Sequence, residues 1–150
     1  MRAMSKAVAG LAILVLAAGW AWAQEASPVG VWRTIDDKTK KERSIIRITD
    51  ANGELQGVVE RIFDQPGDDP AHLCKECKGE LKDKPVIGMR ILWGLKKDGD
   101  AWTGGEILDP KNGRVYKAKV MPSADGKTLD VRGYIGVSLI GRTQVWHKEP

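Results

Sequence analysis

Four dipeptides, Asn52-Gly53, Asp98-Gly99, Asn112-Gly113 and Asp125-Gly126, constrain the fold of this 150-residue chain more than any other feature. Each joins a residue that tolerates left-handed backbone to a glycine, the chemistry of a tight β-hairpin. The segments between them alternate with period two. In Tyr116-Lys117-Ala118-Lys119-Val120 the lysines share one face. From Thr128 to Ile135, Leu129, Val131 and Ile135 oppose Asp130, Arg132 and Tyr134. Side chains of a strand point alternately to the two faces of a sheet, so this alternation specifies half-buried antiparallel strands.

The same pattern predicts about eight strands, near 30–36, 43–50, 54–64, 86–97, 101–108, 114–121, 127–135 and 141–148. Pro28, Pro66, Pro70, Pro85, Pro110 and Pro122 fall at strand ends or in loops, where a missing N–H does least harm. After residue 23 no window sustains an apolar 3.6 period for three turns, so helices are short at most. The one long connection runs from about Asp64 to Pro85. Consecutive hairpins make an all-β meander, and closing it into an up-and-down barrel removes both edges. Glycines inside the predicted strands, Gly57, Gly88, Gly94, Gly104, Gly105 and Gly133, permit the coiling that a small barrel needs. A two-sheet sandwich is the competing architecture.

The N-terminus reads as a signal peptide over residues 1–23, followed by one domain over residues 24–150. Arg2 and Lys6 supply a positive start, Ala7 to Ala18 is largely apolar, and Ala21-Trp22-Ala23 offers small residues for cleavage. The uncharged run from Ala7 to Ala23 is short for a roughly 30 Å hydrocarbon core, which favours cleavage over a retained anchor. The first cysteine is Cys74, far from the cleavage point, so a lipidated product is not expected. The expected product is periplasmic or secreted. Cleavage removes two of the 24 basic side chains and none of the 20 acids, lowering an already small net charge of +4. So small and interleaved a charge does not argue for a phosphate-backbone partner, and no nucleic acid is expected.

An even pair of cysteines in an exported chain reads first as a disulfide, here Cys74 with Cys77 inside the long loop. A redox-active C-x-x-C is the alternative, although Lys78-Gly79-Glu80 after it carries at best a weak signal for the helix that would activate the thiol. His72, Cys74 and Cys77 also present three metal-type ligands, one short of a structural zinc set. No metal or other cofactor is expected. Hydrolase machinery is thin: Gly136 to Gly141 has one residue too many for a nucleophile elbow and leads into a strand, which makes Ser138 a turn residue. No catalytic constellation is found, and the chain is not expected to be an enzyme.

Gly30-Val31-Trp32 on the first strand, with Arg142 on the last, resembles the lipocalin and fatty-acid-binder barrels. There a G-x-W tryptophan plugs one end and an arginine stacks on it, which implies a structural closure by Gly30, Trp32 and Arg142. At greater length, Gly30 to Thr34, Lys78 to Val120 and Val131 to Trp146 resemble the bacterial exported family known as domain of unknown function 2147. The most specific blocks are Asp109 to Gly113 followed by Tyr116, and Gly133 to Gln144. The resemblance implies a lipocalin-like barrel and no established activity.

An eight-stranded barrel is filled by its side chains or holds one small ligand. Trp93, Trp102, Tyr116 and Tyr134 are the candidate aromatic lining, with Arg90 or Arg132 as polar anchor. Aromatic walls with one fixed polar group suit a small hydrophobic or amphipathic molecule. Gly104 and Gly105 leave room beside Trp102 for such a cavity. The competing functions are a cell-envelope interaction or structural protein with a solid barrel, and a thiol-redox or metal-binding protein using the Cys74/Cys77 loop.

Overall fold

The computed structural model describes residues 25–150. The proposed signal peptide, residues 1–23, lies outside the described residues. Eight strands follow in order: β1 (Gly30–Ile35), β2 (Glu42–Ala51), β3 (Glu54–Ile62), β4 (Arg90–Asp98), β5 (Ala101–Asp109), β6 (Arg114–Pro122), β7 (Thr128–Tyr134) and β8 (Gly141–Lys148). Each pairs antiparallel with the next, and β8 pairs with β1, so the sheet closes into a barrel. The sandwich is excluded by that closure. The strand expected from residue 86 begins only at Arg90, because the chain turns at Gly88, whose amide still donates to Val59 O at 2.7 Å.

The closing seam is short. Trp32 faces Lys148, and Arg33 faces His147. It is reinforced where the Glu149 amide donates to Val31 O at 2.9 Å, and where the Arg33 guanidinium binds both Glu149 and Glu42. The hydrogen bond from Arg33 holds the Glu149 carboxyl below its ordinary range.

The up-and-down order sends alternate connections to opposite ends. The β2–β3, β4–β5 and β6–β7 hairpins gather at one end with the chain entering β1. Trp32 lies there, wholly buried, and its indole N–H donates to Pro28 O at 2.8 Å. Ile48, Leu55, Leu95 and Leu129 fill the same half, each almost wholly buried, so this end is solid. The residue stacked on Trp32 is not the expected Arg142. Lys148 Nζ stands 5.5 Å from the ring centroid, while Arg142 lies at the far end of β8 opposite Gly133. The β1–β8 register puts the last residue of β8 beside Trp32, which corrects the assignment.

Close packing between β4 and β5 explains another misreading. A Cβ on Gly105 would strike the Trp93 carbonyl and come within 2.7 Å of Leu95 Cγ. Gly105 therefore lets two strands approach instead of leaving room for a cavity.

Candidate functional site

The opposite end of the barrel is open. Here the β1–β2, β5–β6 and β7–β8 connections meet the long segment between β3 and β4. A cavity of about 790 Å³ enters the barrel from this mouth. Trp146 forms its floor, with Val131, Ile107, Ile91 and Val59 around it and Tyr116 on the wall. These side chains come from six different strands. Each faces inward because the alternation of its strand presents it to the same side as the closed-end core. The deep lining carries hydroxyl and amide groups but no ionised side chain. Thr34 Oγ1 and Ser44 Oγ are 2.7 Å apart, and the Trp146 indole N–H donates to Gln144 Oε1 at 3.3 Å. Charge is confined to the rim.

At the rim, acids and bases join separate connections in pairs. Arg142 lies 3.1 Å from Asp37, linking β8 to the β1–β2 turn. Lys111 of the β5–β6 hairpin stands 3.8 Å from Asp36. Arg43 on β2 binds Asp68 of the long segment. The Asp68 carboxyl is held below its ordinary range by the hydrogen bond from Arg43, aided by the Gln65 amide. Asp36 is depressed chiefly by the Thr39 amide, then by that of Lys38. The Asp36 and Asp68 carboxylates each accept from donors aimed at them, which favours their ionised form.

The segment from residue 63 to 89 is folded onto the barrel, not a slack loop. Cys74 and Cys77 form a disulfide with Cα atoms 5.3 Å apart. The Cys74 amide donates to Lys84 O and the Val86 amide to His72 O, both at 2.8 Å, and Leu73 bridges Pro85. Cys74, Cys77, Val86 and Met89 are buried and join the main core. The β5–β6 hairpin fits against this segment at Gly113, where an added Cβ would collide with the Glu76 carbonyl. With its sulfurs bonded to each other, the pair cannot supply thiolates to a metal alongside His72. His72 Nε2 instead lies 2.7 Å from Asp64 Oδ1.

Of the aromatic residues read from the sequence as lining, Tyr116 and Tyr134 border the cavity. Asn112 Nδ2 donates to the Tyr116 hydroxyl at 3.0 Å, fixing that ring at the mouth. Trp93, Trp102, Arg90 and Arg132 do not line it. Trp93 pairs with Glu106 on the outer wall and donates its indole N–H to Glu106 Oε2 at 3.1 Å. Arg90 lies over the Trp93 ring, 5.7 Å from its centroid, on that same outer surface. Trp102 is buried in the core near the solid end, with Lys97 Nζ 5.6 Å from its centroid. Arg132 is spent on the β7–β8 connection, donating to Ser138 O at 2.6 Å and Thr143 Oγ1 at 3.0 Å. For Trp93 and Arg90 strand parity misleads because the β3–β4 pairing is shifted, Trp102 lies too near the solid end, and Arg132 keeps the polar face that the unshifted alternation of β7 gives it. Shifts occur between Leu55 and Gly57, Gly57 and Val58, and Trp102 and Gly105. Trp146, the floor of the cavity, was passed over as a ligand residue. Its signal lay in the pairing of β7 with β8, which sets Trp146 opposite Leu129 on the apolar face.

An eight-stranded antiparallel barrel, solid at one end and cupped at the other, is a lipocalin-like fold. The chain belongs to the family described as "Uncharacterized protein conserved in bacteria (DUF2147)", whose model matches residues 30–148. Among solved structures it is similar to protein HP1028 from the human pathogen Helicobacter pylori, described as belonging to the lipocalin family. The TM-score is 0.71 at 20% sequence identity, covering 83% of this chain and 84% of that one. Comparison with curated proteins gives no match.

Proposed function

We propose that the protein binds one small hydrophobic or amphipathic molecule in the open half of its barrel. The observation that carries this reading is the cavity itself: about 790 Å³, apolar and uncharged at depth, with its ionised groups at the mouth. Small-ligand sites commonly fall between about 300 and 1,000 Å³ and are apolar with a few polar groups. A ligand of this class would seat its apolar body on Trp146 and leave its polar end among the rim residues. Ionised groups deep in an apolar cup would carry a desolvation cost, so the inner part of the ligand is neutral. The cup supplies binding and no chemistry; neither a nucleophile paired with a base nor a cofactor is required. We place this activity in the periplasm or outside the cell, following removal of residues 1–23, with a soluble product that carries no lipid.

Trp146 makes the test direct. Native mass spectrometry of protein purified without detergent should find a co-purifying small molecule. Titration with fatty acids or neutral lipid probes should change tryptophan emission, and Ile107→Trp, which fills the cup, should abolish uptake in a folded protein. A clean apo mass together with no emission change across the probe series would end the carrier reading. N-terminal sequencing of the exported protein should begin at Gln24; a start at Met1 would refute processing.

A further inference from the structure

Polar residues normally form the tip of an exposed hairpin, because apolar ones gain nothing from water. The β7–β8 connection breaks that rule. Ile135 is 61% exposed, Val137 59%, Leu139 90% and Ile140 68%. Ile135 and Ile140 border the cavity mouth, but Val137 and Leu139 are not part of its lining, so they are not an inner wall left open. Nor is the tip slack. The Ile140 amide donates to Val137 O at 3.0 Å, and Arg132 reaches Ser138 O at 2.6 Å. The segment holds an apolar knuckle out into solvent beside the mouth.

Along the chain through the knuckle, charge has one sign. From Val131 to Lys148 the chain contains no acidic residue. Arg132 stands directly across from Lys119 on β6, a like-charge pairing that costs stability in a sheet. Arg142 is offset by Asp37, and Lys117 lies opposite Glu106, so the uncompensated cations are Lys119 and Arg132. A convex apolar tip with cations set behind it matches an anionic bilayer, where apolar groups enter the interface and basic groups meet the headgroups. A folded protein partner would instead need a broad complementary face, and the knuckle is four side chains on one turn.

We infer that the β7–β8 tip docks the barrel on anionic phospholipid, with Val137 and Leu139 inserted and Lys119 and Arg132 at headgroup level. Ile135 and Ile140 bridge tip and cavity, so docking brings the mouth to the lipid surface. The inference stands on the tip alone and holds whether or not the cup is filled.

The test uses residues 24–150, the product expected from cleavage, which contain the whole closed barrel and no apolar N-terminal run to bind lipid on its own account. Flotation should recover the protein with vesicles of phosphatidylcholine mixed with phosphatidylglycerol, less with phosphatidylcholine alone, and less at high salt. Leu139→Asp should weaken the association about tenfold or more, the worth of one inserted leucine. At 90% exposure the substitution leaves the fold intact, which an unchanged far-UV spectrum and unfolding midpoint would verify. Leu139→Trp should give a blue-shifted emission on adding the mixed vesicles. Absence of wild-type association with the anionic vesicles would overturn the inference, as would equal binding by Leu139→Asp. Self-association through the tip, seen as a dimer that Leu139→Asp dissolves without any vesicle binding, would overturn it as well.

Discussion

Replacing Trp32 should reveal how the solid end is held. Trp32 is wholly buried, donates to Pro28 O and lies beneath Lys148. Truncating such an indole to alanine costs about 3–5 kcal/mol through lost transfer energy and the cavity left behind. Against a total stability of about 5–15 kcal/mol, Trp32→Ala should leave the barrel marginal. Trp32→Phe retains most of the burial and should lose about 1 kcal/mol, the worth of the bond to Pro28 O. The stacked ammonium adds about 0.5–1 kcal/mol, so Lys148→Met should cost that much in wild type and almost nothing beside Trp32→Ala. Arg142→Met should show no coupling to Trp32, because the two residues sit at opposite ends of the barrel. Urea unfolding followed by far-UV circular dichroism gives all four terms without relying on the altered tryptophan. A loss below about 1 kcal/mol for Trp32→Ala, or a larger coupling to Arg142 than to Lys148, would refute the reasoning.

Three further expectations concern the mouth. Gly113→Ala should detach the β5–β6 hairpin from the Cys74–Cys77 segment, since φ there is +69° and the new Cβ would meet the Glu76 carbonyl; faster amide exchange at Cys74 and Val86 than at Val120 would report it. The Cys74→Ser, Cys77→Ser double variant should lose about 2 kcal/mol, the chain-entropy figure for so small a ring, measured by urea unfolding under oxidising conditions. Asp36 and Asp68 are depressed in the folded state, so their contribution is complete above the ordinary carboxylate range and is lost as pH falls through it toward the folded values. Stability should therefore decline only below about pH 4, and Asp68→Asn should flatten that decline; an unaltered acid limb in the variant would count against the Arg43–Asp68 clasp.

Local chemistry made most of the architecture legible in the residues themselves. Alternation and turn dipeptides act over a few residues, so eight strands could be placed within a few positions, and an even cysteine pair could be read as a disulfide. The G-x-W tryptophan was recognisable as a plug for the same reason: its neighbours define a strand start. The resemblance implies Arg142 on Trp32, whereas the structure places Lys148 there. Which cation it is depends on the register between β1 and β8, strands more than a hundred residues apart, and only closure of the sheet sets that register. Side-chain direction was likewise beyond reach where register shifts intervene, because one extra residue on a strand exchanges its two faces. That exchange moved Trp93 and Arg90 to the outer wall, Arg132 kept the polar face its own alternation gives it, and depth along the barrel put Trp102 in the solid half. The alternating sequence determined that this chain would form an antiparallel meander of about eight strands and favoured closing it into a small barrel. The tertiary structure decided that one end would be solid, the other a cup floored by Trp146, because only there do side chains from distant strands converge.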